Sequence, residues 1–368
     1  MTQSDNASSR VPLTRLLGVE PGEPLRHENL AVFPLIAGRQ PDLPYLLLAD
    51  ALELGVLSIG ELGSGSVPSL VATNKGALDV LVLDGEQLIG AKQNRITNRT
   101  IILASNSETV IPVSCMEQGR WHHVSEEFRA RPKPRHAPPG VRRKAREVES
   151  MYAAMPAAAG VDVLHAAQSR VWHEIAEVGK AMGVDSRTGA MDEIYDRHTG
   201  SIDEWIERFP AADGQVGLLA FLSGRPLGLD VVGDQSLYAR LHERFLGGYC
   251  MDALARRRGR KSGQREVSAT AARRFLSEVG SAARGKAPTV GKGTYHLLSG
   301  QAIGAELSDV IEHTERLVHL SAFPGERSTA ATGHGPGGSG VSTGPVTSPI
   351  ASPSRRRGWA RNRDGDEG

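Results

Sequence analysis

Cysteine is nearly absent from this chain: Cys115 and Cys250 are the two in 368 residues. That scarcity excludes a disulfide framework and agrees with a reducing compartment. Aromatic residues make up only 5%, so the core has to be built mainly from Leu, Val, Ile and Ala. A net charge of +1 leaves no global field to draw the protein to nucleic acid or to a membrane surface. No run of about 18 apolar residues occurs, and Met1 to Arg10 lacks the apolar core of a signal peptide. The expectation is a cytoplasmic protein with no membrane partner. Nucleotide fingerprints are missing too. Gly285 and Gly291 enclose five residues where a phosphate loop needs four, and no Gly-x-Gly-x-x-Gly opens a helix after a strand. A Walker site and a Rossmann cofactor are excluded. Cys-x-x-Cys and His-Glu-x-x-His are also lacking, so Cys115, although near His122 and His123, reads as a buried packing cysteine.

What remains is a globular composition, 39% hydrophobic and 23% charged, long enough for one large or two ordinary domains. Short apolar runs between Gly, Ser and Asn turns predict strands over Leu30–Leu35, Val56–Leu62, Val67–Thr73, Leu78–Leu83, Thr100–Leu103 and Thr109–Val113. A short helix is expected over Tyr45–Leu54. Arg129–Arg146 carries eight Lys or Arg, four Pro and no acidic residue, and reads as an exposed basic linker running into a helix. Val171, Ile175, Val178 and Met182 then recur at helical spacing. Ser201-Ile202-Asp203-Glu204 has the form of a capping box ahead of a short helix at Trp205–Phe209. A hairpin at Val216–Val232, a helix over Gln235–Ala255 and strands near Thr294–Leu298, Ala302–Leu307 and Arg316–Phe323 follow.

The fold class these elements imply is α+β, with a β-rich N-terminal half forming a sandwich or partly closed barrel, a helical middle and returning C-terminal strands. The domain reading is a flexible N-terminus over 1–26, one integrated domain over 27–323 that is β-rich to 121, and a disordered Gly, Ser, Thr and Pro tail over 324–368.

Polar residues concentrate where the sheet meets its loops. Asp84-Gly85 reads as a hairpin turn, and the return strand ends in Lys92-Gln93-Asn94-Arg95. A second polar loop, Glu117-Gln118-Gly119-Arg120, follows the strand ending near Cys115. If those strands are neighbours, Arg95 and Arg120 clamp an anion, Lys92 adds a point charge and Glu117 accepts a hydroxyl or serves as a base. The bland alternative pairs Glu117 with Arg95 or Lys92. Asp84 and Glu86 flank the turn glycine and could offer oxygens to Mg²⁺, although turn chemistry alone accounts for Asp84. No cofactor is expected. Basic clusters at 129–146, 256–261 and 355–363 lack the aromatic platforms that nucleic-acid binding needs, and are read as solvated loops and tail.

The run Leu81 to Arg95, with Asn98 and Pro112 to Trp121, resembles the signature of a bacterial family, the ARG and rhodanese-phosphatase-superfamily-associated protein domain, in which ARG stands for ADP-ribosylglycohydrolase. The likeness extends from about His27 to Phe323. It implies a shared architecture and a link to nucleotide-derived ligands, and supplies no reaction. The leading expectation is an accessory or ligand-binding protein. Its sheet-edge pocket, made by Lys92, Gln93, Asn94, Arg95, Asn98, Gln118 and Arg120, would hold an anionic ligand of the ADP-ribose type. The alternatives are a hydrolase of a nucleotide-derived or phosphorylated substrate with Glu117 as base, and a protein-interaction module using the basic linker and tail.

Overall fold

The run Val216–Leu222 is apolar at nearly every position, which fits a strand covered on both faces better than one with a wet side. The computed structural model shows the cover. It describes residues 18–66, 68–119, 125, 127–131, 133, 135–153, 160–257 and 266–325, all in one compact unit. Gln215–Leu222 (β13) sends Leu218 and Ala220 into one hydrophobic layer and Leu219 and Phe221 into another, as the period of two requires. Ser223 and Gly224, at φ 48° and 81°, turn it into Arg225–Val232 (β14). Positive φ at both central residues is the turn whose twist matches a hairpin.

These strands belong to a nine-stranded antiparallel sheet. Its order is Glu20–Pro21 (β1), Leu30–Ile36 (β3), β13, β14, Thr314–Pro324 (β18), Ala302–Ile311 (β17), Thr294–Ser299 (β16) and Ala283–Ala287 (β15), with Leu25–His27 (β2) on β3. Pairing of β3 with β13 joins residues about 185 positions apart and brings the N-terminal strands into one sheet with those after residue 214. On one face Ala269–Ser281 (α6), capped by the Ser268 hydroxyl, packs Phe275, Leu276 and Val279 onto Phe33, Phe221 and Leu229. The other face carries Gln235–Ala255 (α5), started by Asp234 accepting the Leu237 N–H at 2.7 Å. Gly160–Ala181 (α3) and Met191–Ile206 (α4) pack around it.

The N-terminal region adds a six-stranded sheet in the order Phe128–Arg129 (β12), Gln87–Gly90 (β8), Arg95–Thr97 (β9), Ser107–Cys115 (β11), Ser69–Asn74 (β6) and Leu57–Ser66 (β5). Its end strands β12 and β5 meet, so the sheet is nearly closed and barrel-like. Ile101–Leu103 (β10), Val80–Val82 (β7) and Leu46–Leu47 (β4) form a three-stranded sheet beside it. The short helix Leu48–Glu53 (α1) packs Leu48 and Ala51 into the apolar filling of this region. The expected α+β architecture, β-rich first and helical in the middle, is the one observed.

Three local expectations need correction. Asp84-Gly85 does not join paired strands, because β7 pairs with β10 and β4 while β8 pairs with β9 and β12. Ser201 to Glu204 start no helix; they lie inside α4, whose buried Met191, Ile194, Tyr195, Ile202, Trp205 and Ile206 make one uninterrupted stripe. The stretch 129–146 is not an exposed linker. Arg135, Arg142 and Arg146 are buried, the last two on Pro139–Ala153 (α2). Met1 to Leu17, Arg120 to Val124, the basic loop over 258–265 and the tail from 326 lie outside the described residues.

Candidate functional site

The turn from Leu83 to Gln87 is the hinge of two polar clusters. Gly85 sits at φ 82°, and a Cβ there would come within 2.8 Å of Arg142 Cδ, so both conformation and space call for glycine. Its N–H donates to the Thr97 carbonyl at 2.7 Å, and its carbonyl accepts from Ala137 at 2.8 Å. Asp84 consequently points inward. Its carboxylate accepts from Arg142 Nη2 at 2.9 Å, Arg146 Nη2 at 3.1 Å and the Ser321 hydroxyl at 3.2 Å.

Arg142 forks onto Asp230 as well, Nη1 to Oδ2 at 2.9 Å and Nη2 to Oδ1 at 2.6 Å, and Tyr249 donates its hydroxyl to the same carboxylate at 2.8 Å. His319 bridges Asp230 Oδ1 at 3.2 Å and the Thr100 hydroxyl at 2.7 Å. Burial alone would raise the pKa of Asp84, but the charges of Arg142, His319 and Arg146 override it and hold this carboxyl well below the usual range. Asp230 is lowered likewise, with Arg142 outweighing burial. Asp84, Asp230 and His319 bring ligand-type atoms within 4.8 Å of one another. Two guanidiniums already stand where a cation would, so both carboxylates are matched and the arrangement is an ionic core. Asp84 is thus more than a turn residue, and Glu86 lies outside the group.

Glu86 and Gln87 face the other way, onto a small cleft whose enclosed space of about 10 Å³ has room for about one water or one ligand oxygen, at the floor of a recess open to solvent. Its other lining residues are Leu48, Ala49, Ala130, Arg135, His136 and Arg244. Beside Leu48 and Ala49 of α1, three segments build it. The Leu83–Gln87 turn supplies the carboxylate and the amide. The strap around His136 pairs with Glu86 in an isolated bridge and is pinned by Tyr195, whose hydroxyl donates to the His136 carbonyl at 2.5 Å. Helix α5 supplies Arg244, and its Gly247-Gly248 pair lets the strap lie close. A Cβ on Gly248 would meet the Ala137 carbonyl oxygen at 2.9 Å, and one on Gly247 would meet Arg135 Cδ at 2.8 Å. These glycines answer to packing and leave the helix intact.

Inside the cleft hydrogen bonding is incomplete. Glu86 Oε2 accepts the Leu83 N–H at 2.8 Å and Oε1 accepts Arg244 Nη1 at 3.1 Å. Both amide atoms of Gln87 and both ring nitrogens of His136 are buried without a hydrogen-bond partner among the described residues. Burial pushes the Glu86 pKa up to about 7; Arg244 and the Leu83 N–H oppose the rise, while Asp50 and Asp84 reinforce it. Burial, with Arg142 adding to it, pushes His136 down to about 3, so the imidazole is neutral, one nitrogen a donor and the other an acceptor. Its ring packs on Phe245 at 4.7 Å.

The two polar loops expected to form the site do meet, since β9 pairs with β11 and sets Arg95 opposite Cys115. Most of their side chains serve one another, although Arg95 Nε and both carboxylate oxygens of Glu61 are buried without a hydrogen-bond partner among the described residues. Gln93 accepts from Arg95 Nη1 at 2.9 Å and from the Cys115 thiol at 3.1 Å, and donates to the Glu117 carbonyl at 2.9 Å. Asn94 accepts the Gly90 N–H at 3.1 Å and donates to Asp192, while its own N–H reaches Glu117 Oε2 at 3.4 Å. Arg95 is buried and its charge faces Glu61 at 3.8 Å. Asn98 accepts the Ser114 hydroxyl at 2.9 Å, Gln118 is exposed, Lys92 is half-buried, and Arg120 falls outside the described residues. Lys92 to Asn94 belong to the turn after β8, which ends at Gly90, so they do not extend its strand. Burial pushes the Cys115 thiol up to about 11, which keeps it protonated. Arg135, His136, Arg142, Asp230, Arg244 and His319 were not singled out as site residues. For the first three a signal existed: a basic, proline-punctuated run without acidic residues must find its counter-charges elsewhere in the fold.

This architecture defines a mixed α+β protein with a buried ionic core and, among the described residues, a small polar cleft beside it. The chain belongs to the ARG and Rhodanese-Phosphatase-superfamily-associated Protein domain family, which it matches over residues 18–323. No curated protein and no solved structure matches it.

Proposed function

We propose that this protein binds a small anionic ligand in the cleft between the Leu83–Gln87 turn, the His136 strap and α5. Arg135 and Arg244 face the anion, while Gln87 and His136 hydrogen-bond its remaining polar atoms. The carrying observation is the pair of buried, unpartnered side chains, Gln87 and His136, on one small cleft. Each unmade bond leaves a desolvation cost of about 1–3 kcal/mol that an occupant would relieve. This reading keeps the anionic ligand expected from the family resemblance and moves its site away from the 92–95 and 117–120 loops; the enclosed space takes one oxygen of a phosphate-type group, with the rest of any ADP-ribose-type ligand lying outside in solvent. Mg²⁺ forms no part of it, because arginines already balance Asp84 and Asp230. Both cysteines are free and buried, which supports a cytoplasmic setting.

The test is a thermal-shift screen against ADP-ribose, mononucleotides, phosphorylated sugars and inorganic phosphate, since a ligand that binds only the native state raises its melting temperature. A stabilising compound whose effect disappears in Gln87→Leu supports the cleft. Loss of the effect in Arg95→Ala with Gln87→Leu unchanged returns the site to the loops. Glu86 also motivates a second reading, a hydrolase in which this carboxylate replaces Glu117 as base. Turnover of the stabilising compound that is abolished in Glu86→Gln would favour it.

A further inference from the structure

We infer that the cleft is a proton-coupled oxyanion site: the ligand's anionic group displaces the Glu86 carboxylate from Arg244, and Glu86 takes up a proton as the ligand enters. This rests on the ligand-binding reading above. Glu86 has one cationic hydrogen-bond partner, Arg244, and the carboxylate is almost wholly buried while the guanidinium reaches the cleft. Asp84, by contrast, is gripped by two buried guanidiniums and cannot be released.

A ligand oxyanion that engages Arg244 leaves Glu86 with the Leu83 N–H alone. Every element around Glu86 then favours its neutral form. Asp84 on the same turn and Asp50 on α1 are acidic, and the strap presents the neutral His136 ring. Arg135 on that strap is paired to Asp203, which also holds Lys133. A buried carboxylate that loses its counter-ion neutralises sooner than it stays charged. The raised Glu86 pKa, about 7, places that protonation within reach of neutral solution.

The chemistry also selects the ligand. Once protonated, Glu86 keeps one oxygen on the Leu83 N–H and turns an O–H into the cleft. That donor joins the Gln87 NH₂, the N–H of the neutral His136 and the released Arg244. These donors line one small cleft and suit an oxygen of an acceptor-rich group such as phosphate, sulfate or a phosphomonoester, the remaining oxygens of which face solvent. The proton comes from solvent and returns there when the ligand leaves.

Inorganic sulfate is the probe, because it remains a dianion from about pH 6 to about pH 8, so any pH dependence belongs to the protein. Calorimetric titration of the whole chain in two buffers of different ionisation enthalpy counts the protons exchanged. The expected result is uptake of nearly one proton per sulfate near pH 8, with affinity falling up to about tenfold per pH unit above neutrality. Glu86→Gln should bind sulfate at least as tightly, with no uptake and a flat pH profile. His136→Phe should bind more weakly yet keep the uptake, which excludes the imidazole as the proton's destination. Infrared difference spectra should show a protonated carboxyl band on sulfate addition, absent in Glu86→Gln. Sulfate binding without proton uptake, or uptake that persists in Glu86→Gln, would overturn the inference and leave the binding reading standing. If neither sulfate nor phosphate binds to any of these proteins, the inference falls, and the binding reading falls with it when the thermal-shift screen also finds no stabilising compound.

Discussion

Asp84 and Glu86 stand on the same turn and live in opposite surroundings. Asp84 enters a network in which both carboxylates and the imidazole have every polar atom bonded, although Arg142 and Arg146 each keep a buried Nε without a partner among the described residues. Glu86 opens on a cleft where an amide and an imidazole have no partner. Both regions are polar and buried, so neither burial nor charge separates them. What differs is satisfaction, which is complete for Asp84, Asp230 and His319 and missing for Gln87 and His136. A buried polar group with all its bonds made stabilises a fold and has nothing left to offer a ligand, whereas an unsatisfied one is costly until something occupies it.

The sharpest way to break this comparison is to cut the Asp84 network. Asp230→Ala leaves Arg142 half-paired in the interior and should cost about 3–5 kcal/mol in chemical denaturation. A loss below about 1 kcal/mol would mean that the network is not the anchor described here. Next in size is Gly248→Val, which pushes a branched side chain into the His136 strap. Overpacking of this kind costs about 1–3 kcal/mol, and it should weaken ligand binding along with stability because the strap carries His136.

The pH dependence sharpens the contrast further. The folded pKa of Glu86 is raised from 4.5 to about 7, so between those values the folded state holds a proton that the unfolded state has lost. Stability therefore falls as pH rises through that window, by on the order of 2–3 kcal/mol. The folded pKa of His136 is depressed from 6.5 to about 3, so there the unfolded state holds the extra proton and stability rises with pH. Across the shared window the slopes oppose each other. Denaturation midpoints at several pH values should show the fall removed in Glu86→Gln and the rise removed in His136→Phe. Identical pH curves for both variants and the parent would contradict the burial on which the cleft depends.

The smallest effect separates the regions by sign. Gln87→Leu removes a buried amide whose bonds are unmade but also leaves a changed side-chain shape, so stability should be unchanged or should rise and not fall, while ligand binding is lost. Inside the ionic core no single truncation should be neutral.

Much of the architecture was legible because periodicity and turns are local. The Gln235–Ala255 helix, the 216–232 hairpin and the Leu30 strand could be read from spacing alone. Helix α6 could have been read as well, since Ser268 caps a run with Ala272, Phe275, Leu276 and Val279 on one face. The partners of each element could not be read. Asp84-Gly85 has the local form of a hairpin turn, yet β7 and β8 are drawn into different sheets by pairings with β10 and β9. Likewise, Arg142 looks solvated in a basic run because its counter-ions, Asp84 and Asp230, lie 58 and 88 residues away, and Arg146 joins the same group through Asp84, 62 residues away, besides its local partner Glu149. For the candidate site, the Leu83–Gln87 turn was visible as a motif. Arg135 and His136, in the basic run, and Arg244, on a helix far downstream, join it only in three dimensions.

The most direct test of the account is the crystal structure of a complex with whichever compound stabilises the protein most. The account predicts ligand density between Arg135 and Arg244, with Gln87 and His136 both hydrogen-bonded to it. Density against Lys92, Asn94 and Glu117, with the Gln87 cleft unchanged, would contradict it.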